Sequence, residues 1–204
     1  MAQSTPVRER DPLLSPQNAA FAFIDYQPEQ FAGVGSHTVD QIMPNLLLLG
    51  KAAKAWKVPV VLSTVAVKMG VNEGTVPELQ EALGGLEEID RTSMNSWEDA
   101  DFRAAIEGTR RKKIVLAGLW TEVCVAFPAL DLLREGYEVY VVADAIGGVT
   151  LDAHERAMQR MVQAGAKPVT ALAVACELQR DWARPDADNL RKIMRWYFPH
   201  LRER

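Results

Sequence analysis

Apolar residues along this chain fall into two patterns. A continuous apolar run occupies residues 19–24, and largely apolar runs occupy 58–64, 113–117 and 138–143, as expected of strands buried on both faces. Between them, apolar positions recur every three or four residues. Ile42, Leu46, Leu49, Ala53 and Trp56 define an amphipathic helix over 39–56, with Pro44 as a candidate for its true first turn. The same reading predicts a short strand at 87–91 and a helix over 97–107 capped by Ser96. It continues with helix 122–135, helix 152–164, strand 167–172 and helix 174–182. Residues 1–17 are polar with three prolines and read as an arm or poorly ordered tail. Residues 184–204 read as a basic, aromatic helical tail, leaving 18–183 as the domain.

Strands that alternate with helices of ten or more residues require right-handed crossovers and a parallel sheet covered on both faces. The fold class is therefore α/β, a three-layer α/β/α open sheet. Ligands in such sheets bind beyond the carboxyl ends of the strands, where strand order reverses. Asp25, Arg91, Cys124 and Asp144 follow the first, third, fourth and fifth strands, so four charged or reactive groups share one edge. Thr121 is placed to cap the helix that carries Cys124 in its first turn, where the helix dipole favours a thiolate. Taken singly, each has an ordinary alternative: Cys124 a small core residue, Asp25 a turn or cap residue, Arg91 an ion-pair partner of Asp90 or Asp25, Asp144 a loop anchor. Glu122 is expected to cap or brace the helix. Cys176 reads as core, in the Ala/Val-rich start of the last predicted helix.

Composition narrows the classes. With 204 residues, 48% apolar and 25% charged, the chain is an ordinary globular protein. A net charge of −4 argues against a nucleic-acid surface, and no apolar stretch reaches membrane-spanning length. Two cysteines and a polar start without an apolar leader predict reduced thiols and a cytoplasmic location. His37, His154 and His200 share no ligand spacing and read as surface or helix-packing residues, so no metal is expected. Gly147-Gly148 is too little for a phosphate loop, and no cofactor is expected.

Asp25 after its strand, the block Gly118-Leu-Trp-Thr-Glu-Val-Cys124-Val-Ala126 and Ala143-Asp-Ala145 together resemble the isochorismatase-like cysteine hydrolase family. The stretches 121–129 and 174–182 are most similar to its YcaC-like subgroup, whose physiological reaction is uncertain. The resemblance covers roughly 18–183. It implies a Rossmann-like sheet, hydrolysis of a small amide, ureido compound or vinyl ether, and homo-oligomers of two, four or eight chains. It implies Cys124 as nucleophile, Asp25 as its base, backbone N–H groups around Thr121 and Cys124 as oxyanion donors, and a cis peptide joining Trp120 to Thr121. The family's usual lysine is replaced by Arg91, which stays protonated and cannot shuttle protons, but can pair with Asp25, favour the thiolate or bind a substrate carboxylate. Trp97, Trp120 and Phe127 are candidates for an apolar pocket and equally for packing. The segment 63–70 lacks the histidine of the metal-dependent nicotinamidases. The expected function is a cysteine hydrolase cleaving a small C–N bond through a thioester. The alternative is a non-hydrolytic oligomer with a reactive thiol.

Overall fold

The structure, a computed structural model, describes residues 11–202. Six parallel strands form one sheet: β1 (Ala19–Ile24), β2 (Val60–Val65), β3 (Ile89–Arg91), β4 (Lys113–Gly118), β5 (Glu138–Val142) and β6 (Lys167–Val169). Their spatial order is β3-β2-β1-β4-β5-β6. The chain moves outward from β1 to β3, then returns to place β4 on the other side of β1, so the topological switch point lies between β1 and β4. There the register pairs Ile24 with Gly118. A Cβ on Gly118 would lie 2.7 Å from the Ile24 carbonyl oxygen, so only glycine allows the close approach of these strands at their carboxyl ends.

The helices are α1 (Pro28–Ala32), α2 (Val39–Trp56), α3 (Pro77–Leu83), α4 (Ala100–Gly108), α5 (Ala126–Arg134), α6 (Leu151–Gln163), α7 (Ala171–Gln179) and α8 (Ala187–Arg202). Helices α3, α7 and α8 pack on α2, while α4, α5 and α6 cluster around β5 and the far side of β2. The result is the three-layer α/β/α parallel sheet expected from the alternating pattern. Every residue of β1 and β4 is buried, and the α2 stripe Ile42, Leu46, Leu49, Ala53 and Trp56 lies in the same core.

Several local expectations are corrected. Helix α2 begins at Val39, fixed by a capping box between Thr38 and Gln41, and Pro44 sits inside it. Ser96 caps nothing: Asn95 caps a 3-10 turn over Ser96–Glu98, and Asp99 accepts from the Asp101 and Phe102 N–H groups to start α4. The predicted arm falls partly outside the described residues, at 1–10, but 11–17 is not free. Leu14 is buried and its N–H donates to Glu177, Asp11 pairs with Arg180 at 2.9 Å, and Lys113 Nζ donates to the carbonyls of Asp11 and Leu13. The C-terminal helix α8 lies on α2, tied by Tyr197 Oη to Asn45 Oδ1 at 2.5 Å. Cys176 is exposed rather than core, because α7 buries Ala171, Val174, Ala175 and Leu178 and turns position 176 outward.

Candidate active site

Asp25 follows β1 directly and takes a left-handed backbone conformation with φ +58°, tolerated best by Gly, Asn and Asp. Its N–H donates to Ser63 O at 2.9 Å, so β2 holds the turn. Arg91 ends β3, two strands away, and reaches across β2. Its Nη1 donates to Asp25 Oδ1 at 2.6 Å and its Nη2 to Asp25 Oδ2 at 2.8 Å, a bidentate pair with both side chains fully buried. Nη1 also donates to Thr64 O at 3.0 Å. Asp90 is not Arg91's partner. It accepts the Val67 and Lys68 N–H groups at 2.9 Å each and anchors the loop after β2. Cys124, 6% exposed, completes the cluster: the Asp25 carboxylate and the Arg91 guanidinium are the charged groups that act on its thiol. Strand ends three positions apart in the sheet thus deliver Asp25, Arg91 and Cys124 to one buried point at the switch.

The turn that carries Cys124 differs from the one expected. The chain leaves β4 through Leu119, whose N–H still donates to Ile24 O, and forms a π turn over Thr121–Val125 before α5. The cis peptide joins Leu119 to Trp120, one bond earlier than expected, because Leu119 keeps the strand's pairing and the chain changes direction only after it. Thr121 does not cap the helix. Its N–H donates to Gly147 O at 2.9 Å, and its hydroxyl hydrogen-bonds His154 Nδ1 at 2.9 Å. The Trp120 backbone N–H is the one that favours the Cys124 thiolate. Glu122 braces not its own helix but the loop after β5, accepting the Val149 N–H at 2.9 Å. Gly148 makes that possible, since a Cβ there would sit 2.6 Å from Glu122 Oε2.

Burial pushes the Cys124 thiol up to about 12, and the adjacent Asp25 charge adds to this; Arg91 and the Trp120 N–H oppose it. The resting group is therefore a thiol, not the thiolate that a helix N-terminus alone would favour. The π turn places Sγ in a dry pocket beside a carboxylate, and desolvation outweighs the dipole. Burial also disfavours the Arg91 charge, yet the hydrogen bonds and charge of Asp25 prevail and raise it. His154 is held down by burial and by neighbouring His37, with rings 4.8 Å apart, while Glu122 and Glu155 pull the other way.

One supporting residue went unread in the sequence. Gln27, buried, bonds Val65 through both its amide groups and Glu73 O at 2.6 Å, closing the β2 loop over the Arg91 side. Of the two readings open for His154, surface or helix-packing, the second holds: it is buried on α6 behind the nucleophile turn. Asp144 anchors the start of α7 by accepting the Ala171 N–H at 2.8 Å. Trp97 is core, edge-to-face with Tyr137 at 5.8 Å, and Phe127 is half-buried on α5. Trp120 closes over Gly33 and donates to Gln30 O at 2.7 Å. Among the described residues, no three His, Cys, Asp or Glu side chains are grouped to hold a metal ion, and no helix is long and apolar enough to cross a membrane.

The molecule is thus a three-layer α/β protein with a parallel sheet and an acid, a cation and a cysteine converging at its switch point. An isochorismatase domain matches residues 19–173, and the chain belongs to that family as a YcaC-like hydrolase. It is 37% identical over 190 residues to the probable hydrolase YcaC of Escherichia coli (strain K12), covering 93% of this chain and 90% of that protein. The Escherichia coli YcaC crystal structure, an octameric hydrolase of unknown specificity, superposes with a TM-score of 0.87 over 96% of each chain. YcaC from Pseudomonas aeruginosa, solved with hexane-2,5-diol and covalent acrylamide, is 35% identical with a TM-score of 0.87, over 92% of this chain and 93% of that one.

Proposed function

We propose that this protein hydrolyses a small amide or ureido C–N bond through a covalent thioester on Cys124. The observation that carries the reading is the buried Asp25–Arg91 pair beside the buried Cys124 thiol, on which both charges act. As Sγ attacks the carbonyl carbon, its proton passes to Asp25, so a free thiolate need never accumulate. The oxyanion that forms is met by the backbone N–H groups of Trp120 and Cys124; the Thr121 N–H is already committed to Gly147. Collapse breaks the C–N bond, and Asp25 returns the proton to the departing nitrogen. Water then adds to the thioester, giving one proton to Asp25, which passes it back to Sγ as the acid leaves. Arg91 never moves a proton: it holds the Asp25 carboxylate in a fixed orientation. The covalent acrylamide of the Pseudomonas relative supports a nucleophile of this kind, and the octamer of the Escherichia coli relative supports a homo-oligomer.

The test is a panel of small primary amides and ureido compounds, scored for ammonia release. Turnover lost in Cys124→Ala, with a substrate-acyl mass trapped on the peptide bearing Cys124 in the wild type, is the expected result. Turnover that survives Cys124→Ala would sink the mechanism. A thiol that is alkylated but never turns over would favour the non-hydrolytic reading.

A further inference from the structure

Arg91 brings five N–H donors to the site, and four are spent inside the protein. Nη1 donates to Asp25 Oδ1 at 2.6 Å and to Thr64 O at 3.0 Å, with Ser63 Oγ at 3.3 Å. Nη2 donates to Asp25 Oδ2 at 2.8 Å and reaches Met94 O at 3.4 Å. Nε alone is buried without a partner among the described residues. Arginine binds carboxylates and phosphates best through an edge of two parallel N–H groups. One such edge, Nη1–Nη2, is filled by Asp25, and the Nε–Nη2 edge has lost its Nη2 hydrogen to Met94. The same Asp25 cancels the guanidinium charge. An anionic substrate brought to Cys124 would therefore be desolvated with neither a counter-charge nor a two-pronged donor to receive it, a costly state.

We propose that this centre selects uncharged substrates, small neutral amides, ureas or related carbonyl compounds, and turns away carboxylates and other anions. The proposal rests on Cys124 being the nucleophile, and it removes substrate-carboxylate binding from the roles open to Arg91. Specificity for anions in this fold would need a cation that Asp25 has not already claimed.

Iodoacetamide and iodoacetate test this directly, because they differ in little but charge and share a leaving group. The rates of alkylation at Cys124 and Cys176 are read in the same full-length chain by peptide mass spectrometry, with exposed Cys176 as the internal reference. The iodoacetamide-to-iodoacetate ratio at Cys124 is expected to exceed that at Cys176 by about tenfold or more, since the anion must be buried unpaired. Asp25→Asn keeps the side-chain shape and suits a left-handed residue, but frees both the Arg91 charge and one Nη hydrogen. In that variant, provided its melting curve shows a folded chain, the ratio at Cys124 should fall to that of Cys176 or below. The wild-type comparison decides the matter without it. Equal ratios at the two thiols, or faster iodoacetate at Cys124, would overturn the proposal and leave the hydrolase reading standing. Selective iodoacetamide labelling with no turnover of any neutral amide would do the reverse. A Cys124 that neither reagent reaches while Cys176 reacts would overturn both.

Discussion

At the scale of single residues, the centre is a charge balance as much as a triad. Arg91 and Asp25 are both buried, so removing one strands the other; Asp25→Ala or Arg91→Ala should cost about 3–5 kcal/mol in urea unfolding, far more than an exposed ion pair. The thiol makes a second, opposite prediction. Its folded value of about 12 stands above its ordinary 9.0, so its neutral form is favoured only in the native state. That contribution is fully present below about pH 9 and is lost as pH rises towards 12. Stability should therefore fall there by up to about 1.4 kcal/mol per pH unit, and Cys124→Ala should remove this slope in unfolding titrations. A wild type whose alkaline slope matches Cys124→Ala would contradict the burial argument. The meeting of Asp25, Arg91 and Cys124 was legible in the sequence because each was placed at or just after the carboxyl end of a predicted parallel strand. The protonation state was not legible. It depends on how deeply Sγ is buried and how near Asp25 comes, and a helix-dipole argument built from local sequence contains neither.

At the scale of elements, what matters is how the turn after β4 is held. Thr121 fastens it to the loop after β5 through its N–H and to α6 through His154, while Glu122 grips Val149 on that loop. His154→Leu should slow Cys124 alkylation and any turnover several-fold, whereas His154→Gln, which can keep one polar contact to Thr121, should recover much of it. Burial and His37 hold the His154 value below its ordinary 6.5, against the pull of Glu122 and Glu155. The stability it lends is present above about pH 6.5 and lost as pH falls through the lowered value, so wild type and His154→Leu should converge in stability on acidification. Caps give a simpler check: Thr38→Ala breaks the capping box of α2 and should cost about 1 kcal/mol in urea. The inner strands β1, β2, β4 and β5 could be read to within about two residues from their apolar runs, whereas β3 starts two residues later than expected and β6 ends at Val169 instead of 172, where the chain already turns into α7. Helices α1 and α3 could not, because five and seven residues hold too few turns for a period to show. Nor could the π turn, since Thr-Glu-Val-Cys-Val reads as the opening of an ordinary helix until the tether to Gly147 is known.

At the scale of the whole molecule, the parallel sheet followed from connection lengths, but its strand order, and with it the switch point between β1 and β4 where the site lies, came only from the structure. What the apolar pattern did not separate is residues that face a core from residues that face another chain. Met69, Val71 and Met94, on the loops after β2 and β3, are all more than half exposed, and Leu151 after β5 is 54% exposed. The two loops and the start of α6 all follow the carboxyl ends of strands, so this exposure lies around the same end of the molecule as Cys124. Large apolar side chains left in water on several neighbouring loops signal a contact surface rather than a random spread. An assembly of identical chains, as in the octameric Escherichia coli relative, would cover them. Light scattering behind size exclusion should then give a mass several times that of one chain. Met94→Glu combined with Leu151→Glu should shift the population to smaller species, because a buried unpaired carboxylate opposes association. Both positions lie outside the core, so the variant's circular dichroism should match the wild type. A wild type that runs as a monomer at micromolar concentration, or a double variant that assembles unchanged, would mean that these loops face solvent for some other reason. If dissociation also alters the alkylation rate of Cys124, access to the thiol is governed by the neighbouring chain as well as by the fold that buries it.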